Sequence, residues 1–129
     1  KIILMMKVQS ITGTDPFTTH GNIFIDIRSG PFGSFGPFGI KALQNSDFEA
    51  PANLYNVSQI QNNPVGGWYW VMLDPAAFPF IDKTGITQIR LAFQVDDNDD
   101  TGNDYLSFYS GDFVEQRDRP HLMIEYYVP

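Results

Sequence analysis

The sequence contains no cysteine. That excludes a disulfide framework, a thiolate nucleophile and cysteine-ligated zinc, though it does not fix the compartment. Positive charge is scarce as well. Eight Lys and Arg stand against fifteen Asp and Glu, for a net charge of −7. A phosphate backbone would be repelled, so nucleic acid is not an expected partner, whereas cations and neutral glycans are compatible with the balance. No apolar run approaches the roughly 20 residues of a membrane-spanning helix, and no membrane span is expected. Uninterrupted helical stretches are missing too, because nine Pro and eleven Gly punctuate the chain.

What the sequence has in quantity is aromatic and β-branched residues. Eleven Phe, six Tyr and two Trp in 129 residues favour strands. The length suits one domain with one core, residues 1–129. Lys1 is followed at once by Ile2-Ile3-Leu4-Met5-Met6. This reads as a strand already under way, and hence as a piece of a longer or processed protein.

Period-two alternation locates six strands. The first covers residues 2–9. In "NIFIDIR", Ile23, Ile25 and Ile27 share one face. In "WYWVML", Trp68, Trp70 and Met72 oppose Tyr69, Val71 and Leu73. In "QIRLAFQV", Ile89, Leu91, Phe93 and Val95 point one way. "YLSFYS" aligns Leu106 with Phe108, and "HLMIEYYV" aligns Leu122, Ile124, Tyr126 and Val128. The inward set is expected to include Ile25, Ile89, Leu91, Phe93, Phe108, Leu122 and Ile124. One short helical turn is expected in "LDPAAFPFI", with Asp74 as N-cap, Pro75 at the first helical position and Pro79 limiting its length. Such a series of short strands and turn-rich loops predicts an all-β, antiparallel β-sandwich or barrel. Between strands, Gly30-Pro31-Phe32-Gly33 is echoed by Gly36-Pro37-Phe38-Gly39. Exposed rings at Phe32, Phe35 and Phe38 would form an apolar patch, unless the loop folds back to plug one end of the fold.

Several blocks in order resemble the DNRLRE domains, a group related to carbohydrate-binding modules of secreted and cell-surface proteins. They are "TDPFTTHGNIFIDIRSG" (14–30), "SDFEAPAN" (46–53), "GWYWVML" (67–73), "TGITQIRLAFQVDDNDDTGNDYLSFYSG" (84–111) and the closing "RPHLMIEYYVP" (119–129). The resemblance implies a jelly-roll-like sandwich. Such domains carry a substantial portion before the strand matching residues 2–9, so the chain is expected to be the C-terminal part of a domain lacking its first strands. The resemblance brings no catalytic motif and no ligand residues that transfer position by position.

Three groups of residues could carry chemistry. The acidic stretch "DDNDDTGNDY" (96–105) begins like a calcium loop, with oxygen ligands from Asp97 and Asp99 and a glycine at the sixth position, Gly102. Phe108 then stands where a bidentate Glu is expected. The competing reading is a hydrogen-bonded acidic turn whose Asp side chains cap their own backbone, with Arg90, Arg117 and Arg119 compensating the charge. A bound calcium would in either case be structural. Paired catalytic carboxylates need a defined separation and one apolar environment. Glu49, Glu115 and Glu125 are scattered, and no nucleophile pairing with His20 or His121 is indicated, so no enzyme is expected. Sugars stack their C–H faces on flat rings while neighbouring polar groups bond the hydroxyls. Trp68, Tyr69 and Trp70 are the ligand-binding candidates on that ground, set against the reading that both faces of this strand pack inside the fold.

The sequence therefore leads to an expectation of a secreted or cell-surface, non-catalytic carbohydrate-binding-like module. Its partner would be a polysaccharide or cell-wall glycan. The alternative is a structural surface or filament protein whose partners are neighbouring copies or domains; a polysaccharide-acting enzyme is a remote third.

Overall fold

The computed structural model describes residues 1–30, 45–97 and 99–128, and the fold is all-β. The Gly-Pro-Phe loop, with Phe32, Phe35 and Phe38, lies outside the described residues. Seven strands are present among them: β1 (Ile2–Thr12), β2 (Ile23–Ser29), β3 (Leu54–Ile60), β4 (Trp68–Met72), β5 (Thr87–Phe93), β6 (Tyr105–Phe108) and β7 (His121–Ile124). Every pairing is antiparallel.

The strands form two sheets. In the first, β1 is central, with β4 along one edge at Ile3–Lys7. β7 pairs with Ile2–Met5 and β6 with residues 8–12, so these two lie end to end along the other edge. The second sheet has the order β3-β2-β5. Alternation turns Ile2, Leu4 and Met6 of β1 and Tyr69 of β4 toward Ile23, Ile25 and Ile27 of β2 and Val57 and Ile60 of β3, forming one core. Ile25 and Ile27 are fully buried. β3 and β4 close one side of this antiparallel sandwich. Ser58 Oγ–H donates to Met72 O at 2.9 Å, and Asp74 N–H donates to Val57 O at 3.3 Å.

Two of the short helical elements share one device. Asp15 caps α1 (Pro16–Thr19) by accepting the Phe17 amide at 3.0 Å, and Asp74 caps a 3-10 turn (Pro75–Phe80) by accepting the Ala76 amide at 2.8 Å. In both, Pro occupies the first turn, where its missing N–H costs nothing. The turn at 75–80 matches the sequence expectation. α1 carries the same Asp-Pro signal in "TDPFTT" and was not anticipated.

Two other departures have clear causes. β3 is not among the six expected strands, because its alternation is broken. Asn56 has a left-handed φ of 48°, and the register against β2 shifts between Ile25 and Ile27, where residue 58 pairs with the former and residue 54 with the latter. Leu122 and Ile124 do share the inward register with Leu4 and Ile2, yet they remain 38 % and 44 % exposed, because β7 is an edge strand with little opposite it. The expectation that they are core residues is thus corrected.

The main polar anchor is a pair that the sequence separates by more than 60 residues. Asp26 and Arg90 stand opposite each other on β2 and β5. Arg90 Nε and Nη2 donate to Asp26 Oδ2 at 3.1 and 2.7 Å, and Nη1 donates to the carbonyls of Asp47, Phe48 and Ala50. Asp26 Oδ1 in turn accepts the Asn56 amide at 2.9 Å, which holds the irregular part of β3.

Candidate functional site

β4 sorts the three aromatic candidates by its pleat. Tyr69 pairs with Met6 on the inner face and is 3 % exposed. Its ring stacks on Phe17 at 5.2 Å, and its hydroxyl donates to Asn62 Oδ1 at 2.7 Å, while Asn62 donates to Asp15. Burial, with the Asp15 carboxylate adding to it, holds the Tyr69 phenol above its ordinary range. Tyr69 is therefore a core residue with a satisfied hydroxyl, and the expectation that it contacts ligand is corrected. The cause is the two-residue period itself: in a sheet with one buried face, adjacent residues cannot both reach the same surface.

Trp68 and Trp70 do share the outer face. Trp70 stands opposite Met5 and is 58 % exposed. Trp68 stands opposite Lys7, is half-buried, and lies 5.7 Å from the His121 ring at an interplanar angle of 32°. His121 also faces Met5, from β7. Lys7 Nζ bonds Asp118 Oδ1 at 2.6 Å and sits 5.7 Å from the centroid of Tyr109. Tyr109 itself packs on Phe113 at 4.4 Å. Met72 and Met123, both exposed, flank Ile3 on the same face. The outer face of the first sheet is thus a shallow platform. One exposed indole stands on its β4 edge, a second indole two residues away lies against an imidazole, and a Lys–Asp pair stands at its rim. His121 and Lys7 were not recognised as members. Their strands lie at opposite ends of the chain, and only the pairing of β7 and β4 with β1 brings them to one face.

The acidic loop has a different organisation. Asp97 Oδ1 accepts the Asp99 amide at 2.8 Å, and Asp100 Oδ1 accepts the Gly102 amide at 2.7 Å. Asp99 and Thr101 both adopt φ of 57°, a left-handed conformation that Asp tolerates better than most residues. These are carboxylates turned onto their own backbone. Asp104 Oδ1 accepts the Thr14 amide at 2.8 Å, and its buried Oδ2 has no hydrogen-bond partner. Among the described residues no group of three or more His, Asp or Glu is placed to hold a metal ion. Two of the three arginines expected to offset this loop are engaged elsewhere: Arg90 with Asp26, and Arg119 with the Phe113 carbonyl at 2.7 Å. The expectation that Arg90 offsets the acidic loop is accordingly corrected.

A groove of about 390 Å³ runs beside Arg90, lined by Asp47, Phe48 and residues 87–91. The guanidinium at its wall is already committed to Asp26 and three carbonyls, so it offers no anchor for an anion. Among the described residues no helix is long and apolar enough to cross a membrane. No protein-family model, curated protein or solved structure matches the chain.

Proposed function

We propose that this protein is a non-catalytic, extracellular carbohydrate-binding module that attaches a secreted protein to a polysaccharide or cell surface. The observation that carries this reading is Trp70, a large flat ring more than half exposed on the open face of a sheet. Trp70, Met72 and Met123 together leave apolar surface exposed on one face, and contiguous apolar patches mark interaction sites. Trp68 and His121 extend the ring surface, and Lys7 and Asp118 place donors and an acceptor at its margin. Stacking on a sugar face with hydroxyl contacts at the rim is the chemistry these groups suit. The block-wise resemblance to DNRLRE domains points the same way. A non-catalytic role is supported by the acidic loop, whose carboxylates cap turn amides rather than face one another across a cleft.

The test is affinity electrophoresis and glycan-array binding with the parent chain and Trp70→Ala. Retention by at least one polysaccharide is expected. The variant should lose tenfold or more in affinity, about 1.4 kcal/mol, while keeping its melting temperature. Absence of binding across neutral, acidic and amino-sugar polymers would overturn the proposal.

A further inference from the structure

Among the described residues, the side of the sandwich opposite the β3–β4 closure is open. A cleft of about 230 Å³ lies there between β5 and β6, lined by Ile23, Leu91, Phe93, Leu106 and Phe108. β5 forms the rim of the second sheet, and its phase is fixed by two bonds that bracket the ladder. Gly30 N–H donates to Ile86 O at 2.6 Å, and Gln94 N–H donates to Asn22 O at 2.9 Å. Even-numbered residues of β5 therefore exchange bonds with β2. The N–H and C=O groups of Thr87, Ile89, Leu91 and Phe93 point the other way. No strand among the described residues pairs with that edge.

An exposed edge usually carries a protective device such as a lysine, a proline, a bulge or an inward-pointing charge. β5 has none of these on the Ile89, Leu91 and Phe93 side. Across β5, β6 and β7 the sole formally charged side chain is Arg90, which is paired with Asp26. In a molecule of net charge −7 the strands bordering this side carry almost no charge, and in an antiparallel pairing the acidic 96–104 stretches of two copies fall at opposite ends of the paired strands. A basic or acidic partner strand would find no complementary charge along β5 itself. A second copy, presenting the same uncharged apolar edge, would match it.

We infer that the open side is a self-association surface, on which β5 pairs antiparallel with β5 of a second copy about a two-fold axis. The pairing extends the three-stranded sheet to six strands and covers the apolar cleft. Charge selects its register. Centring the axis on Arg90 would oppose two arginines. Centring it on Leu91 places Leu91 opposite Leu91 of the second copy, Ile89 opposite its Phe93, and Arg90 opposite its Ala92. In that register the bonding groups of residues 87–93 are in phase.

Seven strand residues span about 23 Å, and the sheets lie roughly 10 Å apart. The contact falls at the small end of specific interfaces, so association is expected in the micromolar to millimolar range. Sedimentation velocity of the full chain from roughly 10 μM to about 1 mM should show a growing dimer fraction. Hydrogen exchange over the same series should show protection rising at the amides of Thr87, Ile89, Leu91 and Phe93, while Arg90 and Ala92 stay protected throughout. The cysteine-free chain allows a clean cross-linking arm. Leu91→Cys should form a disulfide dimer under mild oxidation, because directly opposed bonded residues lie about 5.5 Å apart between Cα atoms, whereas Ala92→Cys should not. A monomer at the highest concentration would overturn the inference. So would a dimer without protection at the four odd-numbered amides, or protection of those amides that does not vary with concentration. If Leu91→Cys fails to fold, the exchange pattern of the parent chain decides.

Discussion

Replacing Arg90 with alanine tests the polar anchor of the fold. Both partners of the Asp26–Arg90 pair are 12 % exposed, so solvent screens the interaction weakly. The substitution leaves the Asp26 carboxylate buried, with the Asn56 amide still donating to its Oδ1. It also strips three backbone carbonyls, at Asp47, Phe48 and Ala50, of the guanidinium that gathers them. Breaking one side of a buried pair costs about 3–5 kcal/mol. That is a large fraction of the total stability of an ordinary domain, about 5–15 kcal/mol. With a urea slope of roughly 2 kcal/mol per molar, the unfolding midpoint should fall by about 2 M with the slope unchanged. Arg90→Lys should recover only part of this, since an ammonium cannot reach Asp26 and the carbonyls together as a planar fork does. The double replacement Asp26→Leu with Arg90→Met removes both charges and should cost less than Arg90→Ala alone. A loss below about 1 kcal/mol for Arg90→Ala, or a double variant as unstable as the sum of its parts, would refute the reasoning.

Other outcomes follow from the same geometry. Phe93→Ala should cost roughly 2–4 kcal/mol in denaturant unfolding, because its ring meets Phe17 edge-on at 5.5 Å and is partly rather than fully buried. Asp74→Ala should cost about 1 kcal/mol by the same assay, the worth of a lost N-cap at the 75–80 turn. Addition of calcium or chelator should leave the melting temperature unchanged, since Asp97 and Asp100 already serve the Asp99 and Gly102 amides; a calcium-dependent rise would restore the metal reading. The Asp82 carboxyl is held below its ordinary range by the amides of Thr84 and Gly85. Because its folded value is the depressed one, its contribution is present above the unfolded carboxylate range and is lost as pH falls through the folded value; Asp82→Asn should flatten that acidic limb of a stability-versus-pH curve.

The strand character of the chain was legible where alternation ran unbroken, as at Ile23–Ile27 and Trp68–Leu73. There, side-chain period and burial are one physical fact. Residues 54–60 were not legible, because the left-handed Asn56 and a register shift destroy the period that would have announced them. Alternation also separated Tyr69 from its two tryptophan neighbours, but it could not say which set lay inside, since both are aromatic. That was decided by Phe17 and Asn62, which give Tyr69 a ring to stack on and an acceptor for its hydroxyl. The platform around Trp70 draws on β1, β4 and β7, whose adjacency is a matter of long-range pairing rather than local pattern. The Asp26–Arg90 pair was hidden for the same reason: each residue alone reads as a solvated charge on the outer side of a strand.

The position of β1 has a consequence for how the molecule comes into being. It is the hub of its sheet, yet its partners β4, β6 and β7 lie in the later half of the chain, with Ile2 meeting Ile124. During synthesis the apolar run Ile2–Met6 exists before β4, β6 and β7, the strands that hydrogen-bond to it here, have been made. The second sheet can assemble from residues 23–93, but the first cannot close until β7 has been made. Folding is therefore expected to be slow and late, governed by distant loop closures. Throughout that interval the uncharged apolar run Ile2–Met6 is without these three partners, which makes the order of the strands along the polypeptide a determinant of aggregation as much as of architecture.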